Sequence, residues 1–156
     1  SKEAFFKLIG TFRKYIKDII DWEKDTEQPA MHGQVLNAAH ELILVMQSPA
    51  EAGRALKYAN FERGTLSNHW KGMGRGETFD GHGATFPLNL ARTCINKFSK
   101  VGDVVYDPFS GLGSTAIAAH QLERQWIGSE ISSEYVELAN KRLAPYLAQK
   151  TLFAAA

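Results

Sequence analysis

The chain has 156 residues, 22% of them charged and 44% hydrophobic, with 18 basic against 17 acidic side chains and a single cysteine. That length suits one ordinary domain burying roughly two-thirds of its unfolded surface; the balanced charge advertises no basic field for nucleic acid and excludes none, and one cysteine excludes a disulfide framework and points to a reducing, cytoplasmic setting. No apolar run approaches the roughly 18 residues needed to span a bilayer, and no uninterrupted signal core is visible, so a soluble protein is expected.

Residues 3–22 place Phe5, Leu8, Ile9, Phe12, Tyr15, Ile16, Ile19 and Ile20 three and four apart, the stripe of an amphipathic helix. The acidic EKDTEQPA ends it. Val35, Leu36, Ala39, Leu42, Ile43 and Met46 predict a second helix over 33–47. Ser48 as N-cap, Pro49 at the first helical position and Glu51 three after the cap predict the start of a third. Residues 1–63 therefore read as a helical N-terminal region.

From Gly64 to Gly83 the periodicity dissolves into a stretch with six glycines, a long loop. Either its glycines, Trp70, Lys71 and Arg75 approach a phosphate backbone or cofactor, or it is a flexible connection that Trp70 anchors to a core. A helix is expected from Pro87 to Phe98, with Cys94 in it as a structural thiol. A strand follows over 104–106, then the loop DPFSGLG, a helix opened by Ser114 or Thr115, a second short strand in WIGSEI, and a helix capped by Ser132 or Ser133. Residues 84–150 thus carry the βαβ pattern of a parallel sheet, ahead of a tail at 151–156.

A strand that ends in a glycine turn and passes straight into a helix lets backbone approach a ligand and aims N–H groups at it. Gly111 and Gly113 supply the missing side chains. Glu130, 130 − 111 = 19 residues on and following the second strand, has the spacing of an acid that accepts both hydroxyls of a ribose. An adenosine-containing cofactor is the expected ligand. Ala116 stands where the dinucleotide fingerprint requires a third glycine, which disfavours a nicotinamide cofactor, and Asp107 offers a carboxylate to a cationic group. His32, His40 and His120 lie on or beside predicted helices without metal-ligand spacing, so no metal is expected.

DPFSGLGST at 107–115 resembles the D-P-F-x-G-x-G-S/T-T loop of the DNA amino-methyltransferases, which act on adenine N6 or cytosine N4. HGATFPLNL resembles the segment beside that loop in the family, and RQWIGSEISSEYVELANKRL its continuation; the match spans about residues 80–143. The resemblance implies an α/β fold, the Rossmann-like S-adenosylmethionine-dependent methyltransferase sheet or part of it, with DNA as partner in a restriction-modification setting. It also implies roles by position. Asp107, Pro108, Phe109, Gly111 and Gly113 would floor the cofactor pocket, Asp107 near the methionine amino group and Ser114 near its carboxylate. Glu130 would hold the ribose, Ile131 would pack on adenine, and His82, Ala84, Thr85 and Phe86 would line the methionine end. Gly83 departs from the proline usual after that histidine, and Phe86-Pro87 leans towards the cytosine-N4 members.

The family's chemistry uses a Pro-Pro-aromatic loop that aims the target amine of a flipped base. The five prolines here include no adjacent pair. The expectation is a C-terminal, cofactor-binding portion without the catalytic loop, either half of a split enzyme whose partner subunit carries that loop or a shortened piece of a longer enzyme; the alternative is a non-catalytic cofactor-binding or DNA-associated subunit, and an open sheet edge makes pairing with another copy or another subunit expected. Asn68 and Trp70 are the candidates on this chain for holding an amine and stacking a base.

Overall fold

The computed structural model describes residues 2–28, 33–34, 36–80 and 85–153. The chain divides into two compact units, one formed by 1–57 with 62–72 and the other by 58–61 with 73–156.

The first unit opens with helix α1, Lys2–Phe12, as expected, and a 3-10 turn, Arg13–Tyr15. The predicted helix does not continue. Ile16–Gln28 is strand β1, and Ala38–Met46, expected to be helical, is strand β2, paired antiparallel with β1 so that Ile20 meets Ile43 and Ile19 meets Leu44. The reason is tertiary: clustered isoleucines at three-and-four spacing also serve a strand, and a short apolar run such as LILVM reads equally as helix or strand until a partner chooses. His69–Trp70, strand β3, adds in parallel on the other side of β1, inside what the sequence presents as a structureless glycine loop. Ile20, Trp22 and Trp70 form the buried side.

The third predicted helix is also absent. Residues 48–57 run as bends and turns, because their backbone finds side-chain partners instead of its own fourth neighbour. The buried Lys17 donates to the carbonyls of Glu51 (2.9 Å) and Gly53 (3.0 Å), and the Lys57 N–H donates to the Gln47 side chain at 2.7 Å.

The second unit follows the sequence reading closely. Helix α2 is Leu88–Phe98, strand β4 Val104–Asp107, helix α3 Ser114–Gln121, strand β5 Gln125–Gly128 and helix α4 Ser133–Phe153. Strands β4 and β5 pair in parallel, Val105 beside Trp126 and Asp107 beside Gly128. One face of this pair packs Val105 and Trp126 against a core of Leu88, Ala91, Ile95, Ile117, Ala118, Ala119 and Leu143. The other face leaves Val104, Tyr106 and Ile127 more than half exposed. Residues 58–61 belong here because Asn60 donates to the carbonyls of Asn96 and Lys97 at the end of α2, while Phe61 stacks edge-on against Phe98. Burial pushes the Cys94 thiol up to about 11, in keeping with a structural role. No helix among the described residues is long and apolar enough to cross a membrane.

Candidate cofactor site at the strand ends

Strand β4 ends at Asp107, and its carboxylate is fixed from two sides. Oδ1 accepts the Phe109 N–H at 3.0 Å and Oδ2 accepts the Thr115 hydroxyl at 2.6 Å. The chain then turns through Pro108 to Gly113, which takes the left-handed conformation (φ 74°) immediately before α3. Glycine is required there twice over, since an L side chain strains at that φ and an added Cβ would lie 3.3 Å from the Ala139 Cβ on α4. No side chain caps α3, so the N–H groups of its first turn, which lack intrahelical acceptors, open towards the loop.

Strand β5 delivers the second half. The Ser129 N–H donates to the Asp107 carbonyl at 2.9 Å, and the Ser110 N–H donates to the Ser129 carbonyl at 3.0 Å, zipping the two strand-end loops together. Gly128 permits this approach, because a Cβ there would come within 2.9 Å of Ser110. Glu130 follows, its Oε2 accepting the Gly111 N–H at 2.9 Å and its Oε1 the Ser132 N–H at 3.0 Å. These backbone donors, Ser132 first and then Gly111, hold its carboxyl below the usual carboxylate range. Each oxygen of the anion keeps a further lone pair for a ligand hydroxyl.

Two cavities flank the glycine loop. One of about 150 Å³ is lined by Asp107, Gly113, Thr115, Trp126 and Glu130 among others. The other, of about 230 Å³, lies between Thr85 and Phe86 on one side and Phe109, Gly111 and Ser114 on the other. The structure thus places Asp107, Gly113 and Glu130 around the first cavity and Thr85, Phe86, Phe109, Gly111 and Ser114 around the second. Ile131 and Pro108 are exposed and line neither cavity. His82, Ala84 and His32 lie outside the described residues.

Asn68 and Trp70 belong to the first unit. Trp70 is 4% exposed and donates its ring N–H to the Ser67 carbonyl at 2.8 Å. Its ring is built into the core, which is the anchoring role, so it has no face to offer a base. Asn68 lies 3.4 Å from both the Asp18 carboxylate and the Ile19 carbonyl. His40 on β2 pairs with Glu23 on β1, and the Asp21 carboxylate meets both His40 (2.9 Å) and His69 (3.3 Å). His120 is tied to the Tyr146 carbonyl. No group that could hold a metal ion occurs among the described residues.

Sequence reasoning gave no site role to Thr115, Ser129, Glu77 or Arg142. Arg142 was legible in part: it shares a face of α4 with Leu138 and Leu143, an apolar face where an arginine requires partners.

A family model described as DNA methylase matches residues 2–141. The chain belongs to the DNA methylase family. Among curated relatives, it is 30% identical over 140 residues to the type II methyltransferase M.SmaI of Serratia marcescens, covering 83% of this chain and 46% of that protein. It is 48% identical over 66 residues to the orphan methyltransferase M.BamHII of Bacillus amyloliquefaciens, covering 42% of this chain and 25% of that one. This chain therefore spans half or less of the length of these relatives. Among solved structures, M1.HpyAVI in complex with SAM aligns over 92% of this chain and 70% of that one, with TM-score 0.70 and 26% identity. The cytosine-N4-specific PvuII DNA methyltransferase aligns over 89% and 56%, with TM-score 0.70 at 18% identity, a likeness of fold. The fold is α/β, that of the S-adenosylmethionine-dependent methyltransferases, with the strand-bearing first unit standing where the sequence suggested helices.

Proposed function

We propose that this chain is the S-adenosylmethionine-binding portion of a DNA methyltransferase that modifies an exocyclic amino group, cytosine N4 or adenine N6, of a flipped base. The observation that carries the reading is the ionised Glu130 carboxylate, pinned by the Gly111 and Ser132 N–H groups beside the glycine loop. The donor set fits the cofactor. Glu130 accepts from a ribose diol, Asp107 faces an ammonium, and the start of α3 with Ser114 faces a carboxylate. Bound there, S-adenosylmethionine would supply an electrophilic methyl group on a positively charged sulfur, which would keep the bonding pair while a base took the proton displaced from the acceptor nitrogen.

That base and the Pro-Pro-aromatic loop that aims the amine come, in this reading, from other sequence, carried by a partner subunit. Two features support it. The chain has no adjacent prolines. Parallel strands are ordinarily covered on both faces, while Val104, Tyr106 and Ile127 are 56–58% exposed on one face of β4 and β5. DNA is the expected substrate of the assembled enzyme.

The test is calorimetric binding of S-adenosylmethionine to the purified chain together with transfer of a tritiated methyl group to unmethylated DNA. Binding without transfer is expected. Transfer by the chain alone would refute the assignment of catalysis to other sequence. Binding that never acquires transfer when the Pro-Pro-aromatic half of a relative is supplied would favour a non-catalytic, DNA-associated subunit.

A further inference from the structure

Arg142 is the most deeply buried cation near the cofactor site, 5% exposed on the inward face of α4. A guanidinium withdrawn that far from water needs an acceptor for its donors, and the three it finds all bear on one cavity. Nη1 donates to the Leu112 carbonyl at 3.0 Å and to the Ser114 hydroxyl at 2.9 Å, on the glycine loop and the first residue of α3. Nη2 meets the Glu77 carboxylate at 2.6 Å. Glu77 in turn is bound to Thr85, whose hydroxyl accepts the Glu77 N–H at 2.8 Å and donates to the Glu77 carbonyl at 2.7 Å. The neighbouring Gly76 lies so close that an added Cβ would fall 1.7 Å from the Thr85 carbonyl oxygen. Thr85 therefore moves with Glu77, and Glu77 is held by Arg142.

Leu112 and Ser114 form one wall of the cavity of about 230 Å³, and Thr85 and Phe86 form the other. Arg142 is the tie between the walls. We propose that Arg142 is a positioning residue that sets the gap receiving the amino-acid end of the cofactor and, by donating to Ser114 Oγ, turns the hydrogen of that hydroxyl outward to meet the cofactor carboxylate. A hydroxyl that accepts from a cation is also the stronger donor. This inference rests on the reading of the site as one for S-adenosylmethionine.

The experiment compares three ligands by calorimetry on the full chain: S-adenosylmethionine, S-adenosylhomocysteine and 5′-methylthioadenosine, the last keeping the adenosine and sulfur and lacking the amino-acid end. Arg142→Gln and Glu77→Ala are expected to weaken the first two by roughly tenfold, the scale of one lost charge-assisted hydrogen bond, and 5′-methylthioadenosine by less than about twofold. Arg142→Lys recovers part of the loss, because an ammonium reaches one wall but lacks the fork that spans both. Should Arg142→Gln fail to fold, Glu77→Ala decides alone, since that side chain is half exposed. Equal weakening of all three ligands, or of none, overturns the proposal. A wild-type chain that binds none of the three overturns the cofactor reading beneath it.

Discussion

Replacing Gly113 by alanine tests whether the glycine loop and α3 meet as described. Two costs are readable from the structure. The φ of 74° places an L residue in the left-handed region, a penalty of about 1–2 kcal/mol for alanine. The new methyl would also sit 3.3 Å from the Ala139 Cβ, inside the roughly 3.5–4.0 Å separation at which carbon atoms attract. Loop or helix must then shift by a few tenths of an ångström. In a chain of 156 residues each kcal/mol lowers the melting temperature by about 2–4 °C, so a fall of roughly 2–8 °C is expected. Gly113→Asn separates the two costs, because asparagine tolerates the left-handed region yet carries the same Cβ; its loss falls between wild type and Gly113→Ala. Scanning calorimetry gives the stability, and titration with S-adenosylmethionine gives a weakened affinity, since the displaced loop carries Gly111 away from Glu130. A Gly113→Ala protein that melts and binds like wild type would refute the loop geometry.

Ile117 is fully buried in the core of the second unit, and Ile117→Ala is expected to cost about 2–5 kcal/mol in urea unfolding. Trp22 is buried with its ring N–H unpartnered among the described residues, so Trp22→Phe, which removes the orphaned donor and keeps an aromatic ring, should cost less than the truncation Trp22→Leu, and a large loss from Trp22→Phe would mean that the N–H has an acceptor. The Glu130 carboxyl is lowered from its ordinary 4.5 in the folded chain. Its contribution is therefore complete above pH 4.5 and is lost as pH falls through the lower folded value. Urea midpoints from pH 7 to pH 3 should diverge between wild type and Glu130→Gln above that window and converge below it.

The second unit was legible because its determinants are local. Asp107, Gly111, Gly113 and Ser114 fall within eight positions, the turn they form is dictated by missing side chains, and a parallel pair with a helix between needs little beyond its own 25 residues to be recognised, from Val104 to Gly128. Even the Glu130 contact, 19 positions from Gly111, follows from the length of one crossover. What the spacing did not convey is that Glu130 binds the Gly111 N–H itself, so the acid anchors the loop.

The first unit was misread for the complementary reason. Ile16, Ile19 and Ile20 satisfy a helical stripe, and nothing within 20 residues contradicts it; the deciding contacts are with Ile43 and Leu44 across the sheet. Long-range pairing overrode local periodicity there, and it also hid Arg142. Its carboxylate partner, Glu77, lies 65 positions away, in a glycine-rich stretch with no period to mark it. A buried arginine on an apolar helix face is nevertheless a detectable contradiction, because burial at that depth is unfavourable without partners. The partners had to exist, and of the acceptors that the fold supplies, Leu112 and Ser114 line the cavity of about 230 Å³ while Glu77 is bound to Thr85, which lines it too. The same logic applies to Val104, Tyr106 and Ile127. An apolar, exposed face on a parallel pair is unfavourable left in water, and under the function proposed above it is the face on which sequence carrying the catalytic loop is to be sought.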